Sequence, residues 1–196
     1  MGRIPALTRG DILGRMRDGG PDAALEGSLV RLRAHEASDY GGLNELFTDP
    51  EVLEGIGFAM PQSTQGYREF VESIRGKDDR LLLVIERLED RQAVGGCGLE
   101  AIEARNRAAV LGIWIGKPYW NRGYGTDAMR TLCRFGFRHM NLQRIELNVF
   151  SVNPRAVRVY ERVGFKVEGT RRRSQFVGGR YVDSFVMGLL DEELTE

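Results

Sequence analysis

The stretch WNRGYGTDAM, Trp120 to Met129, places Gly123, Tyr124 and Gly125 where an apolar run gives way to an amphipathic one. A glycine turn that leads into a helix leaves the first backbone N–H groups unpaired and pointing outward. With the helix dipole they form a site for an anion such as a phosphate. The third glycine of a dinucleotide fingerprint is missing, and no Gly-Lys-Ser or Gly-Lys-Thr completes an NTPase phosphate loop. Taken alone, such a turn reads first as a tight structural link between strand and helix.

Two other places carry chemistry-bearing residues at regular spacing. In SVNPRAVRVYERVGF, Asn153 is a helix N-cap, Pro154 a first-turn proline and Gly164 a left-handed stop. Tyr160 follows Asn153 by seven residues, two turns on and so along the same helix edge. In RIELNVF, Ile145, Leu147 and Val149 alternate with Arg144, Glu146, Asn148 and Phe150, which puts polar groups on one strand face. That face is either a seat for chemistry or the wet side of an edge strand.

The elements that must position these residues follow from periodicity. Val30 and Leu32 alternate with Leu29, Arg31 and Arg33, a half-exposed first strand. Ser38 is placed to cap a helix carrying Leu43, Leu46 and Phe47 and closed by Asp49 and Pro50. Ser63 or Thr64 caps a second helix with Tyr67, Phe70, Val71 and Ile74 on one stripe, ending near Gly76. Between them DPEVLEGIGFAMPQ reads as a loop whose Leu53, Ile56, Phe58 and Met60 pack against the body or line an acceptor site.

LLLVIERL, AVGGCGLEAI and AVLGIWIG then read as three strands of a meander. Gly95, Gly96 and Gly98 in the middle one signal a bulge or a close approach. The third is apolar on both faces, as a central strand covered by helices on both sides should be, and Pro118 ends it. In the helix after the glycine turn, Met129, Leu132, Cys133, Gly136 and Met140 form the core stripe. Asp127, Arg130, Thr131, Arg134 and Arg138 form the outer one. The chain closes with FKVEGTRRRSQFV and RYVDSFVMGLL around Gly178 and Gly179, a two-residue hairpin signal, with Arg171 to Arg173 on a solvated strand edge.

The length of 196 residues suits one domain with its own core. Lys plus Arg and Asp plus Glu both number 28, so no global charge draws the chain to nucleic acid or a membrane surface. Cys97 and Cys133 are isolated and lack metal-ligand spacing, so no metal is expected, and free buried thiols are favoured over a pairing of the two. No run of about 18 apolar residues and no signal-type h-region is present, and a cytoplasmic location follows as the default expectation. The expected organisation is an arm over 1–27, a domain over 28–190 and an acidic tail over 191–196. In the arm Ile12, Leu13 and Met16 form a short stripe able to dock on the body or on a second copy, a possible homodimer contact.

YWNRGYGTDA and NPRAVRVYERVGFKVEG, in this order, about thirty residues apart and with a strand between them, resemble the GNAT superfamily of N-acetyltransferases. The strong likeness covers about Gly112 to Gly169 and a weaker one Ser28 to Leu190, on the side of the ribosomal-protein N-terminal and spermidine acetyltransferases. The resemblance implies an α/β (α+β) fold with a mixed, mostly antiparallel sheet, splayed between the AVLGIWIG and RIELNVF strands, and helices on both faces. It implies acetyl-CoA in the gap as cosubstrate, its pyrophosphate on the backbone of Arg122, Gly123, Tyr124, Gly125 and Thr126. Its pantetheine would lie along the main chain of Ile113, Trp114 and Ile115 and beside Asn153 and Ala156. Tyr160 would then place its hydroxyl at the thioester sulfur. Trp120 stands where many family members have Gln or Arg.

Asn148 occupies a position where some N-terminal amine acetyltransferases of the superfamily carry a glutamate base. An amide cannot be a base, so Asn148 would orient a water, with Glu146 or Glu100 as proton acceptor. The reaction expected is direct acetyl transfer to a primary amine, either a protein N-terminus or a small amine or polyamine. The competing reading is a non-catalytic acyl-CoA sensor. A side-chain amine with a pKa of about 10.4 needs a base more than a peptide N-terminus of about 8 does, which leans the reading towards N-termini. Asp49, Glu51 and Glu54 are the acids available to a polyamine.

Overall fold

The computed structural model describes residues 24–57 and 61–195. The stripe of Ile12, Leu13 and Met16 lies outside them, as do Phe58 and Met60. Seven strands among the described residues form one sheet: β1 Val30–Arg33, β2 Leu81–Arg87, β3 Ala93–Glu103, β4 Ala108–Ile115, β5 Arg144–Phe150, β6 Lys166–Val177 and β7 Arg180–Leu190. Their order across it is β1-β2-β3-β4-β5-β7-β6. Every neighbouring pair is antiparallel except β4 with β5. Helices α1 Asp39–Phe47, α2 Pro50–Ile56, α3 Thr64–Ile74, α4 Tyr124–His139 and α5 Pro154–Val163 complete it.

The apolar run in β2 is continuous because both its faces are covered. Leu83 and Ile85 join the core built with Met129, Leu132 and Cys133 of α4, while Val84 joins Leu43, Phe47, Tyr67 and Val71 of α1 and α3. Burying each such side chain contributes roughly 1.5–3 kcal/mol, so both helical layers are held by the sheet. The β3 glycines mark close approach. A Cβ at Gly96 would lie 2.7 Å from the Trp114 indole nitrogen, and one at Gly95 or Gly98 would strike the backbone of Trp114 or Leu81. Gly178 and Gly179, at φ 56° and 81°, make the hairpin turn between β6 and β7.

Several expectations change. Ser38 stands at the start of α1 without capping it through its side chain; Asp39 instead accepts from the Glu36 N–H at 2.7 Å and pairs with Arg33. Asp49 and Pro50 close no helix: Asp49 caps α2, accepting from the Glu51 N–H at 2.9 Å, and Gly57 ends it at φ 76°. The expected loop is therefore partly helix. Thr131, expected on the outer stripe of α4, is 1% exposed, because residues just before β1 lie across that face. The RIELNVF strand is interior to the sheet, not an edge. Leu25 and Leu194 pack on the core, and the Thr195 N–H bonds the Val163 carbonyl at 3.0 Å. Among the described residues no helix is long and apolar enough to cross a membrane.

Candidate active site

The site begins at a flaw in the sheet. β4 and β5 pair over three residues, Ala108 to Val110 against Arg144 to Glu146, and diverge beyond them. The Gly116 N–H bonds the Val94 carbonyl at 2.8 Å, so by alternation along the strand the polar backbone of Ile113 and Ile115 faces the gap. The Ile115 carbonyl accepts from the Trp120 indole at 2.7 Å.

Gly123 supplies the turn at the end of this strand. Its φ of 85° is the left-handed conformation that glycine takes without a Cβ penalty, and it starts α4 with no side-chain cap. The first N–H groups of α4 are thus left to a ligand. A cavity of about 410 Å³ opens between this turn, the β4 end, α5 and α2.

Ile113, Trp114, Ile115, Arg122, Gly123, Tyr124, Gly125, Thr126, Asn153, Ala156 and Tyr160 all line that cavity. The Asn153 side chain accepts from the Ala156 N–H at 3.1 Å, fixing the first turn of α5. Tyr160 sits edge-on to Phe165 with ring centres 6.1 Å apart, and burial pushes its hydroxyl pKa up to about 12. Tyr124 is held from behind, its hydroxyl 3.4 Å from a guanidinium nitrogen of Arg87, which also lies over the Tyr119 ring.

Asn148 and Glu146 are not brought to the wall. Glu146 lies opposite Val110 on the last paired rung, where the strands are still closed, and it accepts from Arg144 at 3.1 Å. Asn148 is exposed on β5. Glu100 faces Arg80 at 3.5 Å. Glu146 and Glu100 each form a partly exposed ion pair.

The wall arginines of α5 were not singled out from sequence, whereas Ile56 and Glu51 were. Arg155, Arg158 and Arg162 of α5 join Arg122 to give a basic lining. Arg155 stacks its guanidinium 3.7 Å over the Trp120 ring, and burial lowers its pKa. The spacing of these arginines along one side of α5 was the available signal. Val52, Gly55 and Ile56 of α2 close the far side, together with Glu51, which pairs with Lys117. Asp49-Pro50 and Gly57, a start and a stop signal, could have revealed that helix. No cluster of metal ligands occurs among the described residues.

An uncapped helix start beside a split between parallel strands fits a pyrophosphate-bearing thioester, and the family pattern decides the matter. The sequence model of the acetyltransferase (GNAT) domain matches residues 30–166. The chain belongs to the GNAT acetyltransferase family. As a GNAT enzyme it uses acetyl-CoA as cosubstrate and is an N-acetyltransferase. It is 31% identical over 169 residues to a putative ribosomal N-acetyltransferase of Bacillus subtilis, covering 84% of this chain and 92% of that one. It is 29% identical over 171 residues to the spermidine N(1)-acetyltransferase of Escherichia coli, covering 84% and 87%. The solved spermidine N-acetyltransferase of Vibrio cholerae, in complex with CoA and spermine, superposes with a TM-score of 0.78 at 25% identity, covering 84% and 96%.

Proposed function

We propose that this GNAT enzyme acetylates an α-amine, that of a peptide N-terminus, using acetyl-CoA laid in the split between β4 and β5. Arg122 to Thr126 hold the pyrophosphate through the first N–H groups of α4. The backbone of Ile113 to Ile115 runs beside the pantetheine, with Asn153 and Ala156 at its other flank. Acetyl-CoA supplies an already activated acyl group, so the protein's work is alignment, charge stabilisation and proton handling. A backbone N–H of β4 faces the thioester oxygen as charge builds on it. Tyr160, kept protonated by burial, donates its proton to the departing sulfur.

The acceptor choice rests on one observation. Among the described residues Glu51 is the one acid on the cavity wall, and it is already paired with Lys117. A polyamine carries several positive charges and would meet four arginines there with no free carboxylate. An α-amine of pKa about 8 is partly unprotonated near neutrality and needs only water as base, which suits a site where Asn148, Glu146 and Glu100 stand elsewhere. The buried free thiols of Cys97 and Cys133 fit a reducing compartment, and we place the enzyme in the cytoplasm.

The test is a panel of acceptors incubated with acetyl-CoA, following thiol release and product mass: peptides with free N-termini, the same peptides blocked but carrying lysine, free amino acids and spermidine. We expect release only with free α-amines, and acetylation at the first residue of the peptides. Release with spermidine alone overturns the α-amine reading.

A further inference from the structure

Three successive backbone N–H groups at the start of β1 converge on one carboxylate of α4. Ser28 donates to Asp127 Oδ1 at 3.0 Å, and Leu29 and Val30 donate to Oδ2 at 2.8 and 3.0 Å. Consecutive N–H groups turned inward in this way make a concave anion seat, here filled by a side chain of the protein itself. The chain reaches it through Gly27, whose N–H bonds the Val30 carbonyl at 2.8 Å. A Cβ at Gly27 would strike the Asp127 carboxylate and lie 2.7 Å from Thr131 Oγ1, so the clasp tolerates no side chain there. Further along α4, Arg134 donates to the Glu26 carbonyl at 3.2 Å.

The clasp sets the position of Leu29. A Cβ at Gly123 would lie 3.1 Å from Leu29 Cδ1, so this leucine backs the turn from which α4 starts. It also eases a conflict of charge. A carboxylate in the first turn of a helix opposes binding of a second anion at the same end. The three N–H donors turned onto the Asp127 carboxylate offset part of its field, and none of them comes from the first turn of α4.

We infer that Asp127 is a positioning residue for acetyl-CoA: by clasping residues 28–30 it fixes the start of α4 and the Gly123 turn in the geometry that receives the pyrophosphate. The inference rests on the pyrophosphate reading given above. Residues upstream of β1 thereby become part of the cofactor site without touching the cofactor.

The test compares Asp127→Asn, Gly27→Ala and the double variant in the full chain, with Val182→Ala as a control on the far strand β7, where Val182 is buried. Asn keeps the shape but turns an N–H donor towards donors, and the Gly27 methyl evicts the carboxylate. Each single variant should raise the acetyl-CoA Kd and KM roughly tenfold with kcat within about twofold. The double variant should be no worse than the weaker-binding single one, because both break the same clasp. Val182→Ala should lower Tm and leave KM unchanged.

A fall in Tm with unchanged KM in the clasp variants makes Asp127 purely structural and overturns the inference. Failure of the unaltered protein to bind acetyl-CoA by calorimetry sinks the pyrophosphate reading instead. Should Asp127→Asn not fold, Leu29→Ala trims only the contact behind Gly123. A rise in Kd of about threefold supports the inference, and an unchanged Kd overturns it.

Discussion

The hydroxyl of Tyr160 keeps its proton throughout the neutral range, because burial pushes its pKa up to about 12. In the proposed role of acid it would lose effect only as pH rises towards that value, so no falling limb of the pH–rate profile below it should belong to Tyr160. Tyr160→Phe should lower kcat by about 10²-fold or more while the acetyl-CoA Kd, read by calorimetry, stays put. His35 behaves oppositely. It is 7% exposed, with Asp39, Arg33 and Arg75 around it, and desolvation lowers its pKa to about 4. Between the ordinary value and that one the unfolded chain takes up a proton that the folded chain refuses, so stability falls as pH drops from about 6.5 towards 4. The loss approaches ~3 kcal/mol. Urea melts from pH 7 to 4 should show this slope, and His35→Gln should remove it above about pH 5, below which ion-paired carboxylates such as Glu86 add a loss of their own. Asn153 and Tyr160 were legible in the sequence because cap, proline and glycine fix one helix edge. The stacking of Arg155 on Trp120 was not, since it joins two segments that only the fold brings together.

At the scale of elements, α2 walls the cavity opposite the α4 turn, on the side proposed for the acceptor. Gly57 ends it in a left-handed conformation, and a Cβ there would lie 2.5 Å from the Phe150 ring of β5. Gly57→Ala adds strain of about 1 kcal/mol and pushes α2 away from Phe150. Acceptor KM should rise several-fold while acetyl-CoA affinity holds, measured by steady-state kinetics with each substrate varied in turn. The long strands and α4 were readable from their period. α2 was not, because seven residues give too little periodicity, and its Asp49-Pro50 start looks the same as the end of the helix before it. The polar face of β5 was read correctly as a pattern, but the pattern could not say that Glu146 falls on a closed rung and Asn148 outside the cavity wall.

For the molecule as a whole, charge is balanced overall and concentrated locally. Lys plus Arg equals Asp plus Glu, yet four arginines line one cavity. Salt should therefore weaken acetyl-CoA binding, by about tenfold between 0.1 and 1 M as the screening length falls from about 10 to about 3 Å, while Tm changes little. Calorimetry and thermal melts in the same buffers separate the two. The split sheet was legible only through two motifs and their order, since no periodicity announces that neighbouring strands diverge.

That divergence leaves a strand edge in the middle of the molecule. The amides of Ile113 and Ile115, on the gap side of β4, have no paired strand opposite them among the described residues. In deuterium solvent they should exchange quickly in the free enzyme and slow sharply once acetyl-CoA fills the gap, while amides turned towards β3 hardly respond. On this view the cosubstrate is a temporary eighth strand, and each turnover opens and closes the sheet.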